Sequence, residues 1–176
     1  MLFKFSQPFL RTMNSEPIDE IEIDFNKLTA KQYIESYNNM DKKELDLIAY
    51  GKLGFRQAKN LIASVVDCIP EMLDSMPLLP DYRELEKHCF LWFATSNFDS
   101  DIELDFNKMG LEMYLSIRSE NAMNELDTLS TRASAKTRLE IISSITKKSV
   151  QELEEMPINE YIPMDMKCAS FFSELV

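Results

Sequence analysis

The chain has 176 residues, 45% of them hydrophobic, which is enough for one ordinary domain or two small ones and too apolar for a disordered chain. Thirty acidic residues against 19 basic ones leave −11 with the lone His neutral, and a pI near 4.6. That balance argues against a nucleic-acid surface, which needs clustered Lys and Arg.

Residues 2–12 and 18–25 read as a β-hairpin. Ile21, Ile23 and Phe25 alternate with Glu22, Asp24 and Asn26, the period of a strand with one buried face, and Asn14-Ser15-Glu16-Pro17 is a turn signal between the two segments. Thr29 is an N-cap candidate for a helix through about Tyr37, with Tyr33, Ile34 and Tyr37 on one face. Arg56 to Cys68 carries Ala58, Leu61, Ile62, Val65, Val66 and Ile69 at helical spacing. A connection from Pro70 to Pro80 then leads into a final helix with Leu85, Cys89, Trp92 and Phe93.

The same order follows a second time. Ile102, Leu104 and Phe106 repeat the strand pattern, and the segment is expected to add to the first hairpin's sheet. Leu139, Ile142, Ile145 and Val150 mark the next helix. A connection from Val150 to Pro163 precedes a last helix with Met166, Ala169, Phe172 and Leu175.

This order reflects a repeat within the sequence. Ile21-Glu22-Ile23-Asp24-Phe25-Asn26-Lys27 recurs as Ile102-Glu103-Leu104-Asp105-Phe106-Asn107-Lys108, with six of seven positions identical at an offset of 81. Tyr33 matches Tyr114, and Glu44-Leu45-Asp46 matches Glu125-Leu126-Asp127. Beyond a one-residue gap the offset is 80: Ile62 and Ile142, Ser64 and Ser144, Leu73 and Leu153, Met76-Pro77 and Met156-Pro157. Trp92-Phe93 and Phe171-Phe172 close the copies. Collinear order over some 70 positions is the mark of a duplicated unit of about 75 residues behind a short N-terminal arm. The expected architecture is α+β and predominantly α-helical: an N-terminal β-hairpin followed by short helices, with the unit repeated twice. The first unit would occupy 1–98 and the second 99–176, packed on the first.

Residues that could carry chemistry are few. Three widely spaced Cys (Cys68, Cys89, Cys168) form no CxxC pair, one His excludes a multi-His metal site, and three Gly leave no glycine-rich phosphate loop. His88 and Cys89 are adjacent, but neighbours on a helix point about 100° apart, so a structural Cys is the better reading than a Cys–His nucleophile. Asp19-Glu20 with Asp99, Asp101 and Glu103 lack calcium-loop spacing and read as a solvated face. The stretch Arg132 to Arg138 with Lys147-Lys148 is the one basic run, and it reads as a source of internal ion pairs. No catalytic, cofactor or metal residue is assigned. The opening MLFKFSQPFLRTMNSEP is too short in apolar residues for a leader, and no stretch reaches the roughly 18 needed to cross a membrane.

The extended pair, the junction Asn26-Lys27-Leu28-Thr29, the Leu-x-x-Met-Pro connection from Leu73 to Pro77 and the aromatic terminal helix together resemble the tail assembly chaperones of long-tailed bacteriophages. Ala30 stands where that family usually has Gly, Met109-Gly110 replaces the Leu-Thr pair in the second copy, and a tandem duplication departs from the usual single unit. The resemblance implies a non-enzymatic protein that binds the tape-measure protein and the tail-tube protein in the host cytoplasm and is absent from the mature virion. The acidic charge and the lack of a long apolar stretch speak against a nucleic-acid or membrane partner, and self-association is left open. The resemblance would place Met72, Met76, Met156, Met164 and Met166 around a client-binding face, whereas spacing alone makes them fillers of small cores. The contrasting reading is an acidic phage or prophage protein that inhibits a host factor by mimicking nucleic-acid charge. It predicts a carboxylate array at phosphate spacing.

Overall fold

A computed structural model describes residues 1–37, 52–96, 98, 103–112, 115 and 134–174. It is predominantly helical behind an N-terminal hairpin. The chain forms two compact units. Met1–Leu28 and Lys52–Ser96 belong to the first, whereas Thr29–Ile34 belongs with the part that follows Asn97.

In the first unit, β1 (Leu2–Phe9) pairs antiparallel with β2 (Ile18–Glu22), with Phe3 opposite Ile21 and Lys4 opposite Glu20. The pairing continues past β2, because Met1 and Ile23 exchange two backbone hydrogen bonds of 2.7 Å. Phe3, Phe5 and Phe9 are buried, Phe3 meeting Phe5 edge-on and Phe5 stacking on Phe9, while Leu2 and Lys4 face outward. That alternation is what period two requires of a sheet with one wet face. The hairpin is tied down at Ser6, whose N–H and hydroxyl both donate to the buried Asp81 carboxylate at 2.8–3.1 Å.

The strand stops short of Phe25. Asp24 accepts a hydrogen bond from the Asn26 N–H, which caps a 3₁₀ turn over Phe25–Lys27. Helix α1 (Ala30–Glu35) follows Thr29. The Gln32 N–H donates to Thr29 Oγ1, and the Thr29 N–H donates to Gln32 Oε1 at 2.9 Å, the reciprocal pattern of a capping box. Helix α2 (Phe55–Val66) ends two residues before Cys68, because Asp67 turns left-handed (φ 59°) and the Cys68 N–H reaches back to the Ala63 carbonyl. A 3₁₀ stretch Pro70–Ser75 and a kinked turn Leu78–Tyr82 lead into α3 (Arg83–Thr95). The kink is at Leu79, which is extended because the residue before a proline is disfavoured in the helical region. Leu61, Ile62 and Val66 of α2 and Leu85 and Cys89 of α3 are fully buried in this unit.

In the second unit, residues 103–105 form no strand, and a 3₁₀ turn over Phe106–Lys108 follows. The expected extra strand is therefore not formed over these residues. β1 satisfies the backbone of the first copy's strand, and among the described residues no strand pairs with 103–105. Helix α4 (Ala135–Thr146), short α5 (Val150–Glu154) and α6 (Ile158–Glu174) complete the unit. The last helix begins at Ile158, not at Pro163, which lies inside it. Pro163 is the sixth helical residue, so its missing N–H forfeits one intrahelical bond near the start. The core is Leu139, Ile142 and Ile145 of α4, Leu153 of α5, and Ile158, Tyr161, Ile162 and Cys168 of α6.

The two copies correspond in detail. Helices α2 and α4 have twelve residues each, start 80 positions apart and both end on a left-handed residue, Asp67 or Lys147, with φ of 59°. Leu73 and Leu153 are both buried. Residue 102, Tyr114, residues 44–46 and 125–127, Asp99, Asp101, Arg132 and the side chains of Phe172 and Leu175 lie outside what the structure describes.

Candidate functional site

The repeated heptapeptide forms one feature twice. Asp24 Oδ1 accepts from the Asn26 N–H at 3.1 Å, and Asp105 Oδ1 accepts from the Asn107 N–H at 3.2 Å. Each turn presents its phenylalanine to an aromatic of its unit's terminal helix. Phe25 stacks on Trp92 at 5.2 Å, and Phe106 stacks on Phe171 at 4.1 Å with rings nearly parallel. Trp92 Nε1–H also donates to Asn26 Oδ1 at 3.1 Å. A stacked pair contributes about 0.5–1.5 kcal/mol beyond area burial, so these turns clamp the start of each unit to its last helix. They are structural joints with no reactive group.

The second unit holds a short helix on its Met-Pro edge. The Ala30 N–H at the start of α1 donates to the Met156 carbonyl at 2.8 Å, and Thr29 bridges Pro157 in antiparallel fashion. Tyr33 meets Tyr161 edge-on at 6.2 Å, and its hydroxyl donates to Asp165 Oδ2 at 3.4 Å. Asp165 is itself clamped by Arg138, whose Nε and Nη2 donate to its two carboxylate oxygens at 2.6 and 2.9 Å. Both side chains of that pair are below a tenth exposed. The seat thus combines backbone pairing, an aromatic contact and a buried bidentate ion pair.

The corresponding edge of the first unit is more open. Leu78, which matches the fully buried Ile158, is 62% exposed, and Leu79 is 70% exposed. Ile69 is also exposed, half-buried Met72 lies in the same connection, and Phe55 leans edge-on against Phe90 with most of its surface in solvent. Of the five methionines considered from sequence, Met76 and Met164 are core residues, while Met72, Met156 and Met166 are half-buried. They are divided between the two units rather than gathered on one helix face.

His88 Nε2 pairs with Glu84 at 3.1 Å, and Cys89 is fully buried with its thiol pushed far up by burial and by Glu86. A thiol held protonated is a poor nucleophile, so Cys89 is a core residue. Cys168 is likewise buried, and its thiol is pushed up to about 12 mainly by burial. Among the described residues no group of three His, Cys, Asp or Glu is placed to hold a metal ion. Arg138 leaves the basic run for the interior, which removes it from any phosphate-binding surface.

The sequence reading missed the Arg138–Asp165 pair as a feature, although a signal was present. On α6 the buried positions Ile158, Tyr161, Ile162, Asp165 and Cys168 follow helical spacing, with a carboxylate in the middle of the stripe. A charge at such a position needs an internal partner. No described helix is long and apolar enough to cross a membrane. Compared with protein-family models, with curated proteins and with solved structures, the chain matches none.

Proposed function

We propose that the chain is a non-enzymatic chaperone of bacteriophage tail assembly, which binds an apolar helical stretch of a tape-measure protein in the host cytoplasm. The reading rests on the resemblance carried by the strand-to-turn junction, the Met-Pro connection and the aromatic terminal helix. One observation gives it a mechanism: the Met156-Pro157 edge already holds a short helix by its first amide and an aromatic side chain. Client capture is the same event at the first unit, where Leu78, Leu79 and Ile69 stand exposed beside the half-buried Met72. Burial of each of these leucines would contribute on the order of 1.5–3 kcal/mol, reduced by the ordering of the client. Net acidity keeps the loaded complex soluble and favours a basic client.

The experiment is co-expression with a long, helix-rich tape-measure protein. The wild-type chain is expected to keep that partner soluble and to co-purify with it. The Leu78→Lys, Leu79→Lys variant, altered only at exposed positions, is expected to fold and to lose the partner. A partner equally insoluble with and without this chain would sink the reading.

A further inference from the structure

The hairpin leaves an edge open, and its pairing pattern tells which groups stand on it. Met1 and Ile23 exchange both backbone hydrogen bonds, and Phe3 lies opposite Ile21, two residues further along each strand. In an antiparallel pair such bonded positions alternate with non-bonded ones, so Leu2 with Glu22 and Lys4 with Glu20 are the non-bonded pairs. The backbone N–H and C=O of Glu20 and Glu22 therefore point away from β1. Among the described residues no group takes them. The outer edge of β1 is stopped, because there the Ser6 N–H is taken by the buried Asp81 carboxylate. Open strand edges pair readily with an added strand.

The side chains along the β2 edge select what can be added. Glu16, Asp19, Glu20 and Glu22 are exposed and Asp24 is half-buried, which makes five carboxylates within residues 16–24. Two lysines stand against them, Lys4 at 3.8 Å from Glu20 and Lys27 at 3.0 Å from Glu22, and all four of these side chains are more than half exposed. A second copy of β2 is a poor occupant, because pairing on Glu20 and Glu22 would set carboxylate opposite carboxylate. The other face of the strand is apolar, with Ile21 half-buried and Ile23 buried.

We propose that the outer edge of β2 is a docking site for an extended segment of a partner protein that alternates Lys or Arg with apolar residues. The segment adds as an antiparallel third strand and exchanges backbone hydrogen bonds with Glu20 and Glu22. Its cations lie opposite those two carboxylates, and the apolar residue between them lies beside Ile21. The surface uses residues other than the Leu78 and Leu79 edge, so it stands whether or not the client is a tape-measure protein.

The probe is an end-blocked Lys-Val-Lys-Val-Lys-Val-Lys peptide titrated into the full chain. Saturation is expected to slow amide exchange at Glu20 and Glu22 by about tenfold, with little change at Ile21 and Ile23, which already bond to β1. Affinity is expected to fall steeply between about 0.05 and 0.5 M salt. The same peptide with Glu in place of Lys is expected not to bind. A Glu20→Lys, Glu22→Lys variant, altered only at exposed positions, should reverse that preference. Should the variant fail to fold, the wild-type chain with a peptide N-methylated at its lysine amides decides, because it keeps every charge and loses the edge hydrogen bonds. About tenfold weaker binding is expected of it. An N-methylated peptide that binds as tightly as the parent, or saturation that leaves exchange at Glu20 and Glu22 unchanged, would overturn the proposal.

Discussion

The two left-handed helix ends give the sharpest test of the duplicated fold. Asp67 and Lys147 both sit at φ of 59°, both are exposed, and each follows a twelve-residue helix. A side chain in that conformation costs roughly 1–2 kcal/mol from its Cβ crowding the following carbonyl. Replacement by glycine removes that cost and adds about 0.4–1 kcal/mol of unfolded-state entropy against folding. The balance for Lys147→Gly is a gain of about 0.5–1 kcal/mol. With a urea slope of about 2–3 kcal/mol/M for a chain of this size, the midpoint rises by roughly 0.2–0.5 M. Asp67→Gly gains less, because it also deletes the exposed ion pair with Arg11 at 3.1 Å, worth about 0.2–1 kcal/mol. Lys147→Ala is the control. It shortens the side chain, keeps the Cβ, and should gain nothing. The assay is urea unfolding followed by circular dichroism, with the single tryptophan, Trp92, reporting separately on the first unit. A Lys147→Gly chain that unfolds at lower urea than wild type would refute the left-handed end, and with it the correspondence between the two helices.

Three further outcomes are expected. Asp81→Ala leaves the Ser6 N–H and hydroxyl without their acceptor and should cost about 2–3 kcal/mol, read as a lower urea midpoint and faster amide exchange in β1. Of the three thiols, half-buried Cys68 is pushed up to about 11 by burial and then by Asp67. At pH 8.5 only a few thousandths of it is thiolate, so it should react with a disulfide reagent about a hundredfold more slowly than a free thiol, with Cys89 and Cys168 reacting only on unfolding. Glu152 closes the capping box of α5, and the Ser149 backbone N–H and hydroxyl hold its carboxyl below the ordinary 4.5. A lowered folded value means that its stabilisation is fully present above 4.5 and is lost as pH falls through the folded value. The urea midpoints of wild type and Glu152→Gln should therefore differ at pH 7 and converge on acidification.

Legibility followed how local each interaction was. Period-two alternation in Phe3, Phe5, Ile21 and Ile23 and helical spacing in α2 and α4 lie within a few residues of each other, and those elements were readable from sequence. Where a side chain competes with the backbone, alternation misled. Ile21-x-Ile23-x-Phe25 reads as one strand, yet Asp24 caps the turn that takes Phe25 out of it. Pro163 was misplaced for a related reason. Pro163 lies in the second turn, where it forfeits a bond that the packing of the rest of the helix offsets, so a proline does not by itself mark the first helical residue. The open edge at Leu78 and Leu79 was not legible, because an apolar residue beside a proline looks the same whether its surface is covered or not.

What separates the two copies lies in the positions that repeat least. The turns at Asp24 and Asp105 kept sequence and geometry alike, since the cap, the phenylalanine and its stacking partner all act inside one unit. Where the units differ, the side chains meet what covers their own unit: Asp81 holds Ser6 of the hairpin, and Tyr161 and Asp165 meet Tyr33 of α1. Arg138 and Asp165 depend on each other. They are bidentate, and the loss of either alone would strand a buried charge at about 3–5 kcal/mol. Arg138→Ala is therefore expected to lower the midpoint far more than the double change Arg138→Ala, Asp165→Leu. Equal losses in the two variants would show that the two charges are not coupled.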